Sequence, residues 1–171
     1  MIKTANMSEP TLRFSNFTDS WEPKSLDDFA DVISGHPVPG DDILDVDTGV
    51  PLLRGVNITE GYIRHSRDMD RYHGGNTIGL DKYLVEDGDI VLGMDGSKVG
   101  KNVAVVGEDD AGAFLIQRVA RLRDKGENHL SFAYHHIFSA RFHRYVDRIN
   151  TSSGIPHISL KQIREFPIFA P

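Results

Sequence analysis

The chain has 171 residues, 39% of them apolar, which predicts a single domain that can bury a core of its own. It contains no cysteine, which excludes disulfides, thiolate metal ligation and cysteine catalysis. The net charge of −6 is unevenly spread: residues 1–97 carry 8 Lys and Arg against 18 Asp and Glu, whereas residues 98–171 carry 11 against 7. Because binding depends on local charge, an anionic partner is not excluded.

The sequence gives no sign of a membrane or secretory setting. No apolar run is long enough to span a bilayer, and no charged-then-apolar signal peptide opens the chain. Together with the absence of cysteine, this predicts a cytoplasmic protein without a membrane partner.

The first 34 residues predict an arm followed by a short regular element. Met1 to Ser20 has few periodic apolar residues and is expected to be a loosely held arm. Three apolar residues could fasten it: Leu12, Phe14 and Phe17. Residues 21–34 predict a strand or the start of a short helix, in which Ser25 and Asp28 form a capping pair.

The middle of the chain alternates short apolar runs with polar segments. Residues 35–49 are rich in Pro, Gly and Asp, which is typical of a loop. Residues 50–54 predict a strand that Val56 and Ile58 extend past Gly55. Residues 61–79 show no hydrophobic period and predict a long exposed loop.

Three further strands are expected before residue 124. A turn at Asp87 and Gly88 precedes a buried strand from Ile90 to Leu92, and a tight polar loop follows from Asp95 to Asn102. Val103 to Val106 predicts the next strand, with an acidic turn after it. Ala113 to Arg123 predicts one more strand, with its arginines on one face.

Residues 129–149 have the hydrophobic period of one helix. Its apolar stripe consists of Leu130, Tyr134, Ile137, Phe138, Phe142, Tyr145 and Ile149. Arg141, Arg144 and Arg148 recur at the same three- and four-residue steps, so they share another face. Strands followed by a helix favour an α+β domain with a curved mixed or antiparallel sheet and a few helices.

The last 20 residues predict a helix stop and a short helical turn. Ser152 and Ser153 end the long helix, and Ser159 with Gln162 fits a capping box. Phe166 and Pro167 would end the second turn because proline removes a backbone donor.

Four stretches, taken in order, resemble a known family. They are LRFSNFTDSWEPKSLDDFADVISG (12–35), VPLLRGVNI (50–58), LVEDGDIVLGMDGSKVG (84–100) and SSGIPHISLKQIREFPIFAP (152–171). Their order and spacing are similar to those of the target recognition domain of type I restriction–modification specificity subunits. The resemblance implies a target-recognition-domain fold over residues 21–171, with no catalysis of its own and no cofactor.

The resemblance also implies partners. Such a domain reads one half of a bipartite double-stranded DNA target. Long helices joining two domains bind the methyltransferase subunits, and the restriction subunit can join that complex. This chain stops at Pro171, about where the first connecting helix is expected. It is therefore expected to be either a fragment or a natural half-subunit.

The residues offer two kinds of candidate DNA contact. The 61–79 loop is the first choice for base reading because forked donors, an aromatic ring and an amide suit base edges: Arg64, Arg67, Arg71, Tyr72, His73 and Asn76. The alternative is a surface loop whose charges Asp68 and Asp70 partly cancel. Phosphate contacts are expected from Lys98, Lys101, Arg141, Arg144 and Arg148. The alternatives here are a turn between strands and a solvated helix face.

Enzyme signatures are weak. Asp89, Asp95 and Lys98 could form a nuclease carboxylate–lysine set, but their spacing is loose. His135 and His136 point to different helix sides, and no residue pattern of a metal site or a hydrolase motif is present. We therefore expect no catalytic and no metal-binding residues. The open alternatives are the specificity domain of a fused methyltransferase–nuclease, a dimerising half-subunit and, with less support, a small metal-dependent nuclease.

Overall fold

The computed structural model of the protein describes residues 15, 16, 18, 20–126, 129–150 and 154–170. The predicted fastening residues Leu12, Phe14 and Phe17 lie outside these ranges, as do Ser152 and Ser153 of the predicted helix stop. Across the described ranges, no helix is both long enough and apolar enough to cross a membrane.

The described residues form ten strands, three α-helices and four single turns of 3-10 helix at Leu26–Asp28, Gly40–Asp42, Asp81–Tyr83 and Glu108–Asp110. In chain order the strands are β1 (Glu22–Ser25), β2 (Ala30–Ser34), β3 (Ile43–Leu44), β4 (Val50–Leu53), β5 (Tyr72–His73), β6 (Ile90–Gly93), β7 (Val103–Val105), β8 (Phe114–Leu115), β9 (Val119–Asp124) and β10 (Pro167–Ala170). The helices are α1 (Leu130–Ile137), α2 (Ala140–Ile149) and α3 (Leu160–Arg164).

The central sheet is antiparallel, with the strand order β2-β9-β6-β7. Every residue of β6 is buried because neighbouring strands pair with both of its edges and apolar clusters cover both of its faces. Ile90 and Leu92 point into the cluster beneath the helices, whereas Val91 points into the cluster on the opposite face. This explains why β6 reads as a continuous apolar run, as a doubly covered strand does.

Two smaller sheets flank the central one. The order β3-β5-β4-β8 forms a mixed sheet, in which β4 and β8 run parallel and the other pairs antiparallel. The third sheet pairs β1 with β10. The prediction of an α+β fold with mixed or antiparallel sheets and a few helices is confirmed.

The prediction of one helix over residues 129–149 is wrong, because the chain breaks between α1 and α2. Ser139 has an extended backbone, with φ −125° and ψ 155°, and its Oγ accepts a hydrogen bond from the backbone N–H of Phe142 at 3.4 Å. A serine that caps a new helix competes with continuation of the old one. The apolar stripe still packs inward at Ile137 and Phe142, but Phe138 at the break is exposed.

The predicted strand over residues 113–123 is also two strands. Arg118 has a φ of 69°, in the left-handed region, and turns the chain between β8 and β9. The two strands then join different sheets. Both strands carry buried apolar residues on either side of the corner, so the hydrophobic pattern marks the corner only by the polar pair Gln117 and Arg118.

Three other expectations change. The strand after residue 50 ends at Leu53 and a turn follows, so Val56 does not extend it. The predicted loops over residues 35–49 and 61–79 contain the short strands β3 and β5. The helical turn ends before Phe166 and Pro167, as predicted, and Pro167 in addition begins the unpredicted strand β10. A proline is tolerated there because it occupies the first position of the strand.

Several local predictions are confirmed. The Ser25 N–H donates to Asp28 Oδ2 at 2.6 Å, which establishes the predicted capping pair. The Ser159 N–H donates to Gln162 Oε1 at 2.9 Å, which completes the second predicted capping box. The turn at Gly88, with φ 84°, leads directly into buried β6. These features depend on neighbours within three residues, which the sequence specifies directly.

Candidate functional site

A cleft of about 480 Å³ lies where four segments meet. They are the turn after β4, the start of the 61–79 segment, the loop after β6, and the corner between β8 and β9. The cationic residues of its lining are Arg54, Arg64, Lys98 and Arg118, and the uncharged polar ones are Ser97, Asn102 and Gln117. Asp95 supplies a carboxylate. We call this the basic cleft.

A buried asparagine holds two of these arginines in place. The Asn57 side chain accepts from the Arg54 N–H at 3.2 Å and donates to the Arg64 carbonyl at 3.2 Å, and it also donates to Asp70 Oδ1 at 3.2 Å. Arg54 Nη1 donates to the Met69 carbonyl at 3.2 Å. The 61–79 segment is therefore fastened to the turn after β4, and its cations are positioned before any ligand arrives.

The loop carrying Lys98 is packed against α2. Gly100 has a φ of 80°, and a Cβ built on it would lie 2.7 Å from Cγ2 of Val146 in α2. Only glycine therefore allows this approach without displacing the helix. Lys98 Nζ lies 3.6 Å from Glu60 Oε1, with both side chains exposed, so this ion pair contributes little and can be exchanged for another anion.

Arg118 is held at the mouth of the cleft by a chain of polar contacts. Its Nη1 donates to Asp95 Oδ2, and the other Asp95 oxygen contacts the His157 ring at Nδ1. The His157 N–H donates to Asn150 Oδ1 at 2.7 Å, at the C-terminal end of α2. This network connects the β8–β9 corner with the end of β6 and with α2.

The electrostatics of the network keep Asp95 ionised. Partial burial acts to raise the pKa of this carboxyl, but the hydrogen bonds and positive charges of Arg118 and His157 outweigh burial and lower the pKa below its ordinary value. The Asp95 carboxylate thus remains charged at neutral pH, and it offsets one of the cationic charges around the cleft.

A second, acidic cleft of about 470 Å³ is lined in part by other residues of the 61–79 segment. Its lining includes Arg71 and Tyr72, together with Asp70, Asp109 and Asp110. His65 bridges it, with Nδ1 at 3.2 Å from Asp70 Oδ1 and Nε2 at 2.8 Å from Asp110 Oδ1.

The His65 bridge shifts the pKa of that histidine. Burial acts to lower the pKa, but the hydrogen bonds and negative charges of Asp110 and Asp70 outweigh burial and raise the pKa above its ordinary value. The bridge fastens the 61–79 segment to the turn before β8. Since carboxylates repel phosphate, this surface suits a phosphate backbone less well than the basic cleft does.

The structure disperses the residues predicted to read bases. Arg64 lies in the basic cleft, and Arg67 and Asn76 are exposed elsewhere on the segment. Asn76 Oδ1 accepts from the Ile78 N–H at 2.9 Å. His73 is buried in β5, with its ring 5.0 Å from that of Phe114. A burial of this kind gives His73 a packing role in the described fold.

The predicted phosphate contacts are dispersed as well. Lys98 lies in the basic cleft, and Lys101 is exposed on the same loop. Arg144 and Arg148 are exposed on α2. Arg141 differs because its guanidinium lies over the rings of Phe169 and Phe166, at 5.1 and 5.8 Å from their centroids. This stacking covers the end of the core.

Arg54, Gln117 and Arg118 belong to the cleft but were not among the predicted site residues. The available signal was the pair of polar residues in the middle of the apolar run AFLIQRVARL. Arg121 and Arg123, predicted to share one face of the strand, both make ion pairs that are partly buried. Arg121 Nη2 donates to Asp31 Oδ2 at 2.9 Å, and Arg123 donates to Asp89.

Asp89 and Asp95 do not converge on Lys98 as a nuclease set would require. Asp89 precedes β6 and is bound by Arg123, whereas Asp95 follows β6 and is bound by Arg118 and His157. Among the described residues, no group of three or more His, Asp or Glu side chains is arranged to hold a metal ion.

Comparisons with known proteins identify the family of the chain. A family model for the type I restriction modification DNA specificity domain matches residues 18–171. The specificity subunit of the type I restriction enzyme EcoAI from Escherichia coli is 26% identical over 149 residues, which cover 85% of this chain and 24% of that protein.

Solved structures share the fold. The S subunit of a type I restriction–modification system from M. genitalium gives a TM-score of 0.58 at 18% identity, over 94% of this chain and 37% of its own. The HsdS subunit from Thermoanaerobacter tengcongensis gives 0.62 at 14% identity, over 95% and 35%. A chain from a structure concerning the assembly and conformational transition of the type I R-M system gives 0.63 at 14% identity, over 88% and 34%.

The chain thus spans about a quarter of the curated relative and about a third of each solved chain. The family assignment supports the prediction of a recognition domain without catalysis of its own. Because the family model covers residues 18–171, nearly the whole chain, this protein belongs to the family of type I restriction modification DNA specificity domains.

Proposed function

We propose that the domain binds double-stranded DNA through the basic cleft and reads one half of a bipartite target for a type I restriction–modification enzyme. The observation that carries this proposal is the convergence of four cationic side chains and three uncharged polar ones, from four segments of the chain, on one cleft. In a chain of net charge −6, such a concentration needs a reason. An anionic polymer with readable polar edges supplies one.

The phosphate contacts are assigned to exposed cations in and near the cleft. Lys98 and Lys101 lie on a glycine-bounded loop, where a flexible ammonium can follow the DNA backbone. Arg144 and Arg148 are exposed on α2, which the same loop contacts through Gly100. Val146, which the loop contacts, is buried, whereas Arg144 and Arg148 lie on the exposed side of the helix. We keep both arginines as candidate phosphate contacts, separate from the basic cleft. Arg67 and Asn76 also remain candidates for DNA contacts.

The proposed partners follow from the family. The methyltransferase subunits, and with them the restriction subunit, would assemble on parts of the protein beyond residues 21–171, which we take as a single target recognition domain. The proposed setting is the bacterial cytoplasm, where such enzymes meet DNA. Methyl transfer and cleavage would belong to those partners, and the domain would supply recognition.

The test is the salt dependence of DNA affinity in the full-length subunit assembled with its methyltransferase. Binding to a random-sequence duplex should weaken with salt, with a log–log slope of about −0.9 for each phosphate neutralised. Lys98→Ala should weaken binding to all duplexes alike and should make the slope shallower by about 0.9.

Lys161→Ala is the matched control. Lys98 and Lys161 are exposed, at 65% and 80% of their side chains, and each lies beside one exposed glutamate, at 3.6 and 3.7 Å. Lys161 is in α3 and does not line the cleft. The control should leave the slope unchanged. Binding that salt does not weaken, or equal effects of the two variants, would remove the basic cleft from the mechanism.

A further inference from the structure

We infer that Arg118 is a specificity-determining residue that reads a guanine, and that Asp95 positions it. The inference rests on the proposed function, since it assigns a role within the same cleft. It separates this arginine from the other cations of the lining, which we assign to phosphates.

The side chain of Arg118 has the geometry of a held donor fork. A guanidinium carries five N–H groups in a fixed plane. One Nη1 hydrogen is directed to Asp95 Oδ2, and 71% of the side chain is exposed. A carboxylate on one edge fixes the plane and leaves another edge for two parallel hydrogen bonds. Guanine offers O6 and N7 as a matching pair of acceptors in the major groove.

The backbone beneath Arg118 is fixed at the same time. Its left-handed φ of 69° places it at the corner between β8 and β9, which belong to different sheets. The Arg118 carbonyl accepts from the Met94 N–H at 2.9 Å, and the Gln117 N–H donates to the His36 carbonyl at 2.9 Å. A residue held in this strained region by its surroundings is typical of functional sites. Rigid placement is what base reading requires, because a shift of an ångström breaks a bidentate pair.

The other cations of the cleft lack this combination. Arg54 uses Nη1 on the Met69 carbonyl, and Arg64 uses Nε on the Val56 carbonyl at 2.9 Å, so both are fastened along the cleft wall. Lys98 carries a point charge without a fork. These features suit phosphates, which accept hydrogen bonds from many directions. Among the described cleft residues, Arg118 therefore joins a fixed backbone, a carboxylate support and an exposed fork.

The positioning role of Asp95 follows from its two contacts. One oxygen receives Arg118 and the other contacts His157, whose backbone is bonded to Asn150 at the end of α2. The carboxylate is thus aimed by elements on two sides. It does not need to touch DNA to affect which base is preferred.

The experiment compares sequence preference in the full-length subunit with its methyltransferase. Bound duplexes are selected from a random pool for the wild type, and affinities are then measured for single base-pair changes in the enriched motif. Arg118→Lys keeps the charge and the same backbone cost but removes the fork. It should lower discrimination at one G·C position by roughly 5- to 150-fold and leave the other positions within about twofold.

Two further variants complete the set. Arg118→Gly removes the side chain at a residue whose φ glycine adopts freely, so it should lose the same preference and remain folded, as judged by its unfolding midpoint. Asp95→Asn should weaken preference at that same position. A merely structural role of Asp95 would instead weaken all positions alike.

The outcomes separate this inference from the proposed function. If the wild type enriches no motif and binds without salt dependence, the proposed function fails and this inference fails with it. If the wild type enriches a motif that Arg118→Lys retains unchanged, only the role of Arg118 is overturned. A uniform loss of affinity in Arg118→Gly, reversed in Arg118→Lys, would mean that Arg118 contacts phosphate and would also overturn the inference.

Discussion

Replacing Asp89 with alanine should destabilise the domain while leaving DNA binding intact. The Asp89 side chain is 2% exposed, and its carboxylate accepts from Arg123 Nε at 2.9 Å, from Arg123 Nη2 at 2.7 Å and from the Glu86 N–H at 2.8 Å. Truncation would leave the guanidinium of Arg123, which is 25% exposed, without its main counterion. Removing one partner of a buried pair costs about 3–5 kcal/mol.

The lower end of that range applies to this site. Arg123 is not fully buried, and it keeps Glu86 and the Leu84 carbonyl as partners. We therefore expect Asp89→Ala to lower the free energy of unfolding by about 3 kcal/mol. At about 2–4 °C per kcal/mol for a chain of this size, Tm should fall by roughly 6–12 °C. A typical domain stability of about 5–15 kcal/mol would still leave the variant folded at room temperature.

Urea unfolding followed by circular dichroism measures this change. Glu86→Gln is the control, because Glu86 is exposed and an exposed ion pair contributes only about 0–1 kcal/mol. DNA affinity of Asp89→Ala, measured at a temperature where it is folded, should equal that of the wild type, since Asp89 and the cleft residue Asp95 lie at opposite ends of β6. A loss below about 1 kcal/mol would refute the ion-pair argument. Lost DNA binding in a fully stable variant would instead return Asp89 to the functional site.

Two further predictions concern glycine and histidine positions. Gly100→Ala should lower stability by about 2–4 kcal/mol, because it adds a clash with α2 to an unfavourable φ. Gly96→Ala, at a φ of 98° in open surroundings, should cost only about 1–2 kcal/mol, and equal shifts of the two urea midpoints would contradict the contact with α2. His65→Gln should destabilise most at low pH: the folded-state pKa of His65 is raised, so its contribution is full below the unfolded pKa of about 6.5 and is lost as pH rises through the folded pKa. The urea midpoints of the wild type and of His65→Gln are compared across about pH 5–8. A difference between them that does not shrink as pH rises would contradict the bridge.

The sequence by itself determined those features that depend on near neighbours. The Ser25–Asp28 and Ser159–Gln162 capping pairs each close over three residues, and the turn at Gly88 depends on one residue without a Cβ. The continuous apolar run of β6 predicted a buried strand, since a strand covered on both faces needs apolar residues at every position. The order and spacing of the four sequence stretches at 12–35, 50–58, 84–100 and 152–171 were sufficient to predict the family, which the family model confirms.

Only the tertiary structure decided where the helix breaks and where the strands separate. Ser139 begins a new helix within a continuous apolar period, and Arg118 turns a continuous apolar run into strands of different sheets. Hydrophobic periodicity records which side of a segment is buried but not which neighbour buries it. The local hydrophobic pattern is therefore the same for one long element and for two shorter elements that pack on the same core.

The composition of the basic cleft was likewise decided by the tertiary structure. Arg118 meets Asp95 across 23 positions, and Asp95 meets His157 across 62. In the sequence each of these residues is an unremarkable polar side chain, and acids and arginines are numerous enough that many pairings are possible. The pairing is selected by sheet topology, which brings the end of β6, the β8–β9 corner and the C-terminal end of α2 together. A site built from such contacts exists only once the chain has folded, because its geometry belongs to the packing of distant segments.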